Sequence, residues 1–185
     1  AQKQGRAKDG IDSTDPALLK MIYLHKRKEF SISEYFNELK VVPVAVSYEF
    51  DPNDINKAIE CAKTNQGKDY IKSSNEDISS IAKGITDKKG DVSINVGSPM
   101  NFVSDDSDQI SDQITKSIRN LYEPHSTNYA AYIKSKNEIL DHSFSESKIN
   151  ESINYLESRA MQLTKHEKEE LYSQYYQCLI KKMGG

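Results

Sequence analysis

The sequence predicts an α/β fold, with few strands in a largely parallel sheet, followed by a helical subdomain. Three observations carry this. Val41-Val42-Pro43-Val44-Ala45-Val46 is a short β-branched run without polar alternation, as expected of a strand buried on both faces of a parallel sheet. Val92, Ile94 and Val96 alternate with Asp91, Ser93 and Asn95, the pattern of a strand with one wet face near a sheet edge. From Asp105 onward Ile110, Ile114, Ile118 and Leu121 recur at helical spacing and little strand signal remains. The expected division is a partial α/β domain over 1–103 and a helical C-terminal subdomain over 104–185.

Each element has its own signal. Asp15-Pro16 starts a helix, with proline at the first helical position, and Leu18, Met21 and Ile22 continue it. Ser31-x-x-Glu34 is a capping box ahead of Ile32, Tyr35, Phe36 and Leu39. Pro43 cannot donate to a sheet ladder, so it belongs near a strand's start or where a hydrogen bond is already missing. Asp51-Pro52 opens a helix that Gly67 closes, and Ser73-x-x-Glu76 opens one that ends at Gly84. Lys89-Gly90 reads as a turn, and Gly97-Ser98-Pro99 ends the second strand. Breaks at Pro124, at 141–147 and at Thr164 divide the remainder into about four helices. No repeat at solenoid periods is present.

Composition narrows the function classes. The 185 residues suffice for one ordinary domain, and 36% apolar with 29% charged residues describes a folded but very polar chain. A net charge of -3 supplies no overall attraction to nucleic acid, so any phosphate chemistry must be local. Cys61 and Cys178 stand far apart, which suggests neither a disulfide framework nor a zinc ligand set and fits a reducing cytosol. No apolar run reaches the roughly 18 to 20 residues needed to span a bilayer, so contact with a membrane would be peripheral. The chain starts at Ala1, directly in a charged motif, which reads as a truncation.

That motif is Gly5-Arg6-Ala7-Lys8-Asp9-Gly10. Its glycines allow close backbone approach, its N–H groups and the helix that follows favour an anion, and Arg6 offers a planar bidentate fork. By pattern alone such a stretch is a solvated turn. The order of parts points further: a glycine-arginine loop, about 30 residues of helix, the Val-Val-Pro-Val strand, then Ser47-Tyr48-Glu49-Phe50-Asp51-Pro52.

In this order the chain resembles the glycerol-3-phosphate and lysophosphatidate acyltransferase family. Gly5 and Arg6 match the family's Glu-Gly-Arg type phosphate motif, and Pro43 matches a proline in a later hydrophobic strand that helps wall the acyl site. Ser126-Thr127-Asn128-Tyr129-Ala130-Ala131-Tyr132 is similar to a Ser-Asn-Tyr-x-Ala-Tyr segment of bacterial members. The resemblance covers most of the first 132 residues. It implies the C-terminal portion of an acyltransferase α/β domain, transferring a fatty acyl group from acyl-CoA or acyl carrier protein to a glycerol-phosphate lipid acceptor. Gly5, Arg6, Lys8 and Pro43 would be the substrate-binding residues. No metal or organic cofactor is implied, no nucleic acid is expected, and the place would be cytoplasmic, peripheral on the inner face of the cell membrane.

The chain departs from the family in two ways. Gln4 stands where the family has glutamate. The catalytic His-x-x-x-x-Asp pair is absent: the fifth residue after His25 is Phe30, after His125 Ala130, after His142 Ser147 and after His166 Leu171. In the family that pair precedes the glycine-arginine motif, so no catalytic residue is assigned in this chain and the fragment alone is expected to be inactive.

The four histidines read as surface or cap residues without a nearby nucleophile, and Ser98 and Cys61 lack the surroundings of one. His25-Lys26-Arg27-Lys28 is a solvated helix end or a contact for anionic headgroups. Tyr172, Tyr175, Tyr176 and Leu179 form a stripe that serves either as core or as a partner-facing surface. The second use underlies the alternative function, a non-catalytic helical protein-binding module. Lacking preceding strands, the 41–48 strand would expose an edge, which favours dimerisation or marginal stability.

Overall fold

The computed structural model of the chain describes residues 13–184. Gln4, Gly5, Arg6 and Lys8 lie outside the described residues, so the expected phosphate loop does too. The elements are α1 (Pro16–Tyr23), α2 (Ile32–Glu38), β1 (Val44–Tyr48), α3 (Asp54–Asn65), α4 (Glu76–Thr86), β2 (Val92–Val96), α5 (Ser107–Leu121), α6 (Ser126–Lys136), α7 (Glu146–Ala160) and α8 (Lys165–Met183).

The largely parallel α/β sheet predicted from the sequence is not what the described residues form. The described residues are mostly helical, and their sheet has two antiparallel strands, β1 against β2, with Val46 opposite Ile94 at the centre. The 41–46 run is not buried on both faces either. Ala45 and Ser47 point inward and are buried, whereas Val44, Val46 and Tyr48 point outward. A short apolar run reads alike whether both faces are covered or the outward face is simply apolar. In β2 the alternation is as predicted but its sense is reversed: Val92, Ile94 and Val96 are the more exposed set. The outward face of the sheet is therefore built from Val44, Val46, Tyr48, Val92, Ile94 and Val96, paired directly across in register.

Helix boundaries follow local chemistry more closely. The Ala17 N–H donates to Asp15 Oδ1 at 2.8 Å, and Ser31 with Glu34 closes a full capping box on α2. Thr164 and Glu167 do the same for α8, where the sequence showed only a break. Gly67 follows α3 with φ +70°, and Gly90 turns the chain into β2 with φ +67°. In α4 the Ser73 N–H does reach Glu76 Oε2 at 3.2 Å, but the helix continues past Gly84 to Thr86.

Two apolar clusters hold the helices. One gathers Leu19, Ile32, Phe36, Phe102, Ile110 and Ile114 from α1, α2, α5 and the loop before α5. The other packs α6, α7 and α8 around Leu156 and Leu171, with Ala58 of α3 against them. Tyr175, Tyr176 and Leu179 are buried in this second cluster and Tyr172 packs at its side, so the tyrosine stripe is core and not a partner-facing surface. Among the described residues no helix is long and apolar enough to cross a membrane.

Candidate functional site

Beyond the ends of β1 and β2 the two segments stay paired. The Gly97 N–H donates to the Pro43 carbonyl at 2.9 Å and the Met100 N–H to the Val41 carbonyl at 2.8 Å. Pro43 contributes only its carbonyl here, so the missing N–H of a proline costs nothing, in keeping with the position expected from the sequence just before the strand. The Asn95 side chain donates to the Leu121 carbonyl at 2.9 Å and ties β2 to the end of α5. Gly97 sits in that junction. A β-carbon on it would lie 2.8 Å from Pro43 Cγ and 3.0 Å from Leu121 Cδ1, so the strand can approach α5 this closely only with glycine.

Between these parts lies an open cleft of about 380 Å³. Pro43, Met100 and Leu121 give it apolar walls, and Ser98, Gln113, Ser117 and Asn120 give it hydroxyls and amides. The Gln113 amide is held by the Asn101 carbonyl at 2.9 Å. Among the described residues no charged side chain lines the cleft. Such a site can bind and orient an uncharged chain or polar group by contact and neutral hydrogen bonds, and its described lining holds no general acid or base.

Pro43 is thus the described member of the predicted substrate-binding set, and it lies in the cleft wall. Gln113, Ser117 and Asn120 were missed. They recur at helical spacing on α5 beside its isoleucine stripe, a pattern that reads in sequence as a solvated face.

A second polar constellation lies under the sheet. Ser47 Oγ is 3.2 Å from His125 Nε2, both buried, so this histidine does have a hydroxyl neighbour, contrary to expectation. His125 also serves as the N-cap residue of α6, as the cap reading allows, and its N–H donates to Asn128 Oδ1 at 2.6 Å. Thr127 Oγ1 donates to the Glu49 carbonyl at 2.6 Å, and Asn128 Nδ2 donates to the Tyr175 carbonyl at 2.8 Å. Burial pushes the Glu49 carboxyl up, but Lys148 Nζ at 2.7 Å and the Asp91 N–H at 3.0 Å outweigh it and hold the group below its ordinary value. Ser126, Thr127 and Asn128 are almost wholly buried within this seam. It joins 125–128 to the end of β1 and to Glu49 just beyond it, and its hydroxyls are used for holding.

The other candidates take structural places. His25 is exposed, with Nδ1 at 3.0 Å from the Ile22 carbonyl, and His166 is exposed beside Glu169. No disulfide joins Cys61 and Cys178, and burial pushes the Cys178 thiol up to about 12. Among the described residues no group of His, Cys, Asp or Glu is arranged to hold a metal ion. The chain matches no protein-family model, no curated protein and no solved structure.

Proposed function

We propose that this chain is the C-terminal portion of a glycerolipid acyltransferase, acting in phospholipid biosynthesis on the cytoplasmic side, peripherally on the membrane. It carries the acceptor-side binding surface for transfer of a fatty acyl group from acyl-CoA or acyl carrier protein to a glycerol-phosphate hydroxyl. The observation that supports this reading is the position of Pro43: the proline that the resemblance assigns to the acyl wall lines an uncharged, partly apolar cleft. Arg6, assisted by Lys8, holds the acceptor phosphate through charge-assisted hydrogen bonds, and the cleft takes the acyl chain. The described residues supply no histidine-aspartate pair for deprotonating the acceptor, so turnover needs groups from elsewhere.

The test is binding of lysophosphatidate and of glycerol 3-phosphate, measured by calorimetry. Arg6→Ala should weaken both about tenfold or more, the scale of a lost charge-assisted contact. Ser117→Trp, which fills the cleft, should weaken lysophosphatidate alone. Unchanged affinities in both variants would remove the reading. The chain by itself should consume no acyl thioester.

A second reading, a non-catalytic helical protein-binding module, is favoured by the apolar outward face of the sheet. It predicts that Val46→Lys with Ile94→Lys abolishes a protein complex while Arg6→Ala changes nothing.

A further inference from the structure

The end of α1 leaves a second surface uncovered, and this one carries charge. Leu19 is buried and Tyr23 packs beside it, so the inner side of the helix is satisfied. Met21 at 73% exposure and Leu24 at 58% project away from that core, with Ile22 partly exposed beside them. Two exposed apolar side chains are ordinary when scattered. These two stand within a run of cations: residues 16–30 hold Lys20, Lys26, Arg27 and Lys28 against one carboxylate, Glu29.

The turn that presents them is fixed. The Lys26 N–H donates to the Tyr23 carbonyl at 2.9 Å, the Glu29 N–H to the Lys26 carbonyl at 2.9 Å, and the Tyr23 hydroxyl to the Phe30 carbonyl at 2.6 Å. The His25 ring stands edge-on to Tyr35 at 5.6 Å. Lys26 pairs with Glu29 at 2.8 Å, and Glu38 lies near enough to act on it. Lys20, Arg27 and Lys28 are exposed, so their charge faces outward.

We infer that Lys20 to Lys28 dock on an anionic lipid surface, with Met21 and Leu24 entering the headgroup boundary and Lys20, Arg27 and Lys28 meeting lipid phosphates. A bilayer surface is apolar below and anionic at the headgroups, and this patch has aliphatic and thioether tips flanked by cations. Nucleic acid would call for a basic groove with aromatic platforms, which Met21 and Leu24 do not supply. The net charge of -3 repels the rest of the chain from such a surface, so this local excess also orients the molecule. The inference rests on the peripheral placement proposed above. Its test reads binding and needs neither turnover nor acceptor, so the two can fail separately.

The full chain is sedimented with vesicles of phosphatidylcholine, and of phosphatidylcholine mixed with phosphatidylglycerol, at low and high salt. Binding to the anionic vesicles alone, lost as salt is raised, is expected. Arg27→Gln with Lys28→Gln should lower partitioning about tenfold or more, at on the order of 1 kcal/mol per cation near the surface. Met21→Ser with Leu24→Ser should lower it while leaving the salt dependence in place. Lys116→Gln on α5 serves as a control that should bind nearly as the parent does, and circular dichroism melts confirm that each variant is folded. Equal binding to neutral vesicles, full binding by the Arg27/Lys28 variant, or no binding at all would each overturn the inference.

Discussion

The guanidinium of Arg159 on α7 closes on the carboxylate of Asp54, the first residue of α3, with Nε 3.1 Å from Oδ1 and 3.2 Å from Oδ2. Asp54 has no exposed surface, and the Tyr175 hydroxyl donates to its Oδ2 at 3.0 Å. The pair joins residues 105 positions apart and pins α3 to the helices that follow.

The first prediction concerns its asymmetry. Arg159→Ala strands a buried carboxylate and should cost about 3–5 kcal/mol, whereas Asp54→Ala leaves a cation that is partly exposed and should cost less. The double variant should be more stable than Arg159→Ala alone. Urea denaturation of the three variants checks the order.

Glu49 gives a pH prediction. Burial raises its carboxyl, Lys148 and the Asp91 N–H lower it, and the net shift is downward. A group with a depressed folded pKa contributes stability above its unfolded value, about 4.3, and that contribution is lost as pH falls through the lower folded value. Glu49→Gln should therefore be less stable at neutral pH, and its stability should change less between pH 4.5 and the acid limit. The two stability curves should converge at low pH, as denaturation across that range would reveal.

Two glycines with positive φ should respond differently to alanine. At Gly67 nothing lies within 4 Å of an added β-carbon, so only the strained backbone is felt, at about 1 kcal/mol. At Gly90 the added carbon would come 2.8 Å from Glu49 Cβ and 2.8 Å from Phe50 Cδ2. Gly90→Ala should cost at least about 2 kcal/mol. A thermal melt of each variant separates the two.

The outward sheet face gives the opposite expectation. Val46 and Ile94 are 43% and 63% exposed despite being paired at the sheet's centre. Lysine at either position should change stability by no more than about 1 kcal/mol and should reduce binding of a hydrophobic dye. A loss as large as that of a core substitution such as Leu156→Ala, about 2–5 kcal/mol, would contradict the exposed placement.

Legibility in the sequence followed the range of the forces. Asp15, Ser31 with Glu34, and Gly67 act on atoms within a few residues, and each appears where local chemistry assigns it. The isoleucine stripe of α5 was legible because a helical period is unambiguous over fifteen residues. A five-residue strand contains too little pattern to set its partner or its buried side. The inward side of β1 is the one on which Ser47 meets His125, and Glu49 just past the strand meets Thr127, both contacts with residues 78 positions away. The cleft itself was not legible, since the amides of α5 face it only because the segment after β2, Gly97 to Met100, lies opposite them.

The packing of α3 carries a consequence for how the chain matures. Its buried face meets α8, and Gln174 Nε2 donates to the Asp54 carbonyl at 2.9 Å, across 120 residues of sequence. During synthesis, therefore, α3 emerges early but lacks its principal apolar partner until α8 clears the ribosome exit. A chain stopped after Leu163 should leave α3 labile to proteases while the α1, α2 and α5 cluster is already closed.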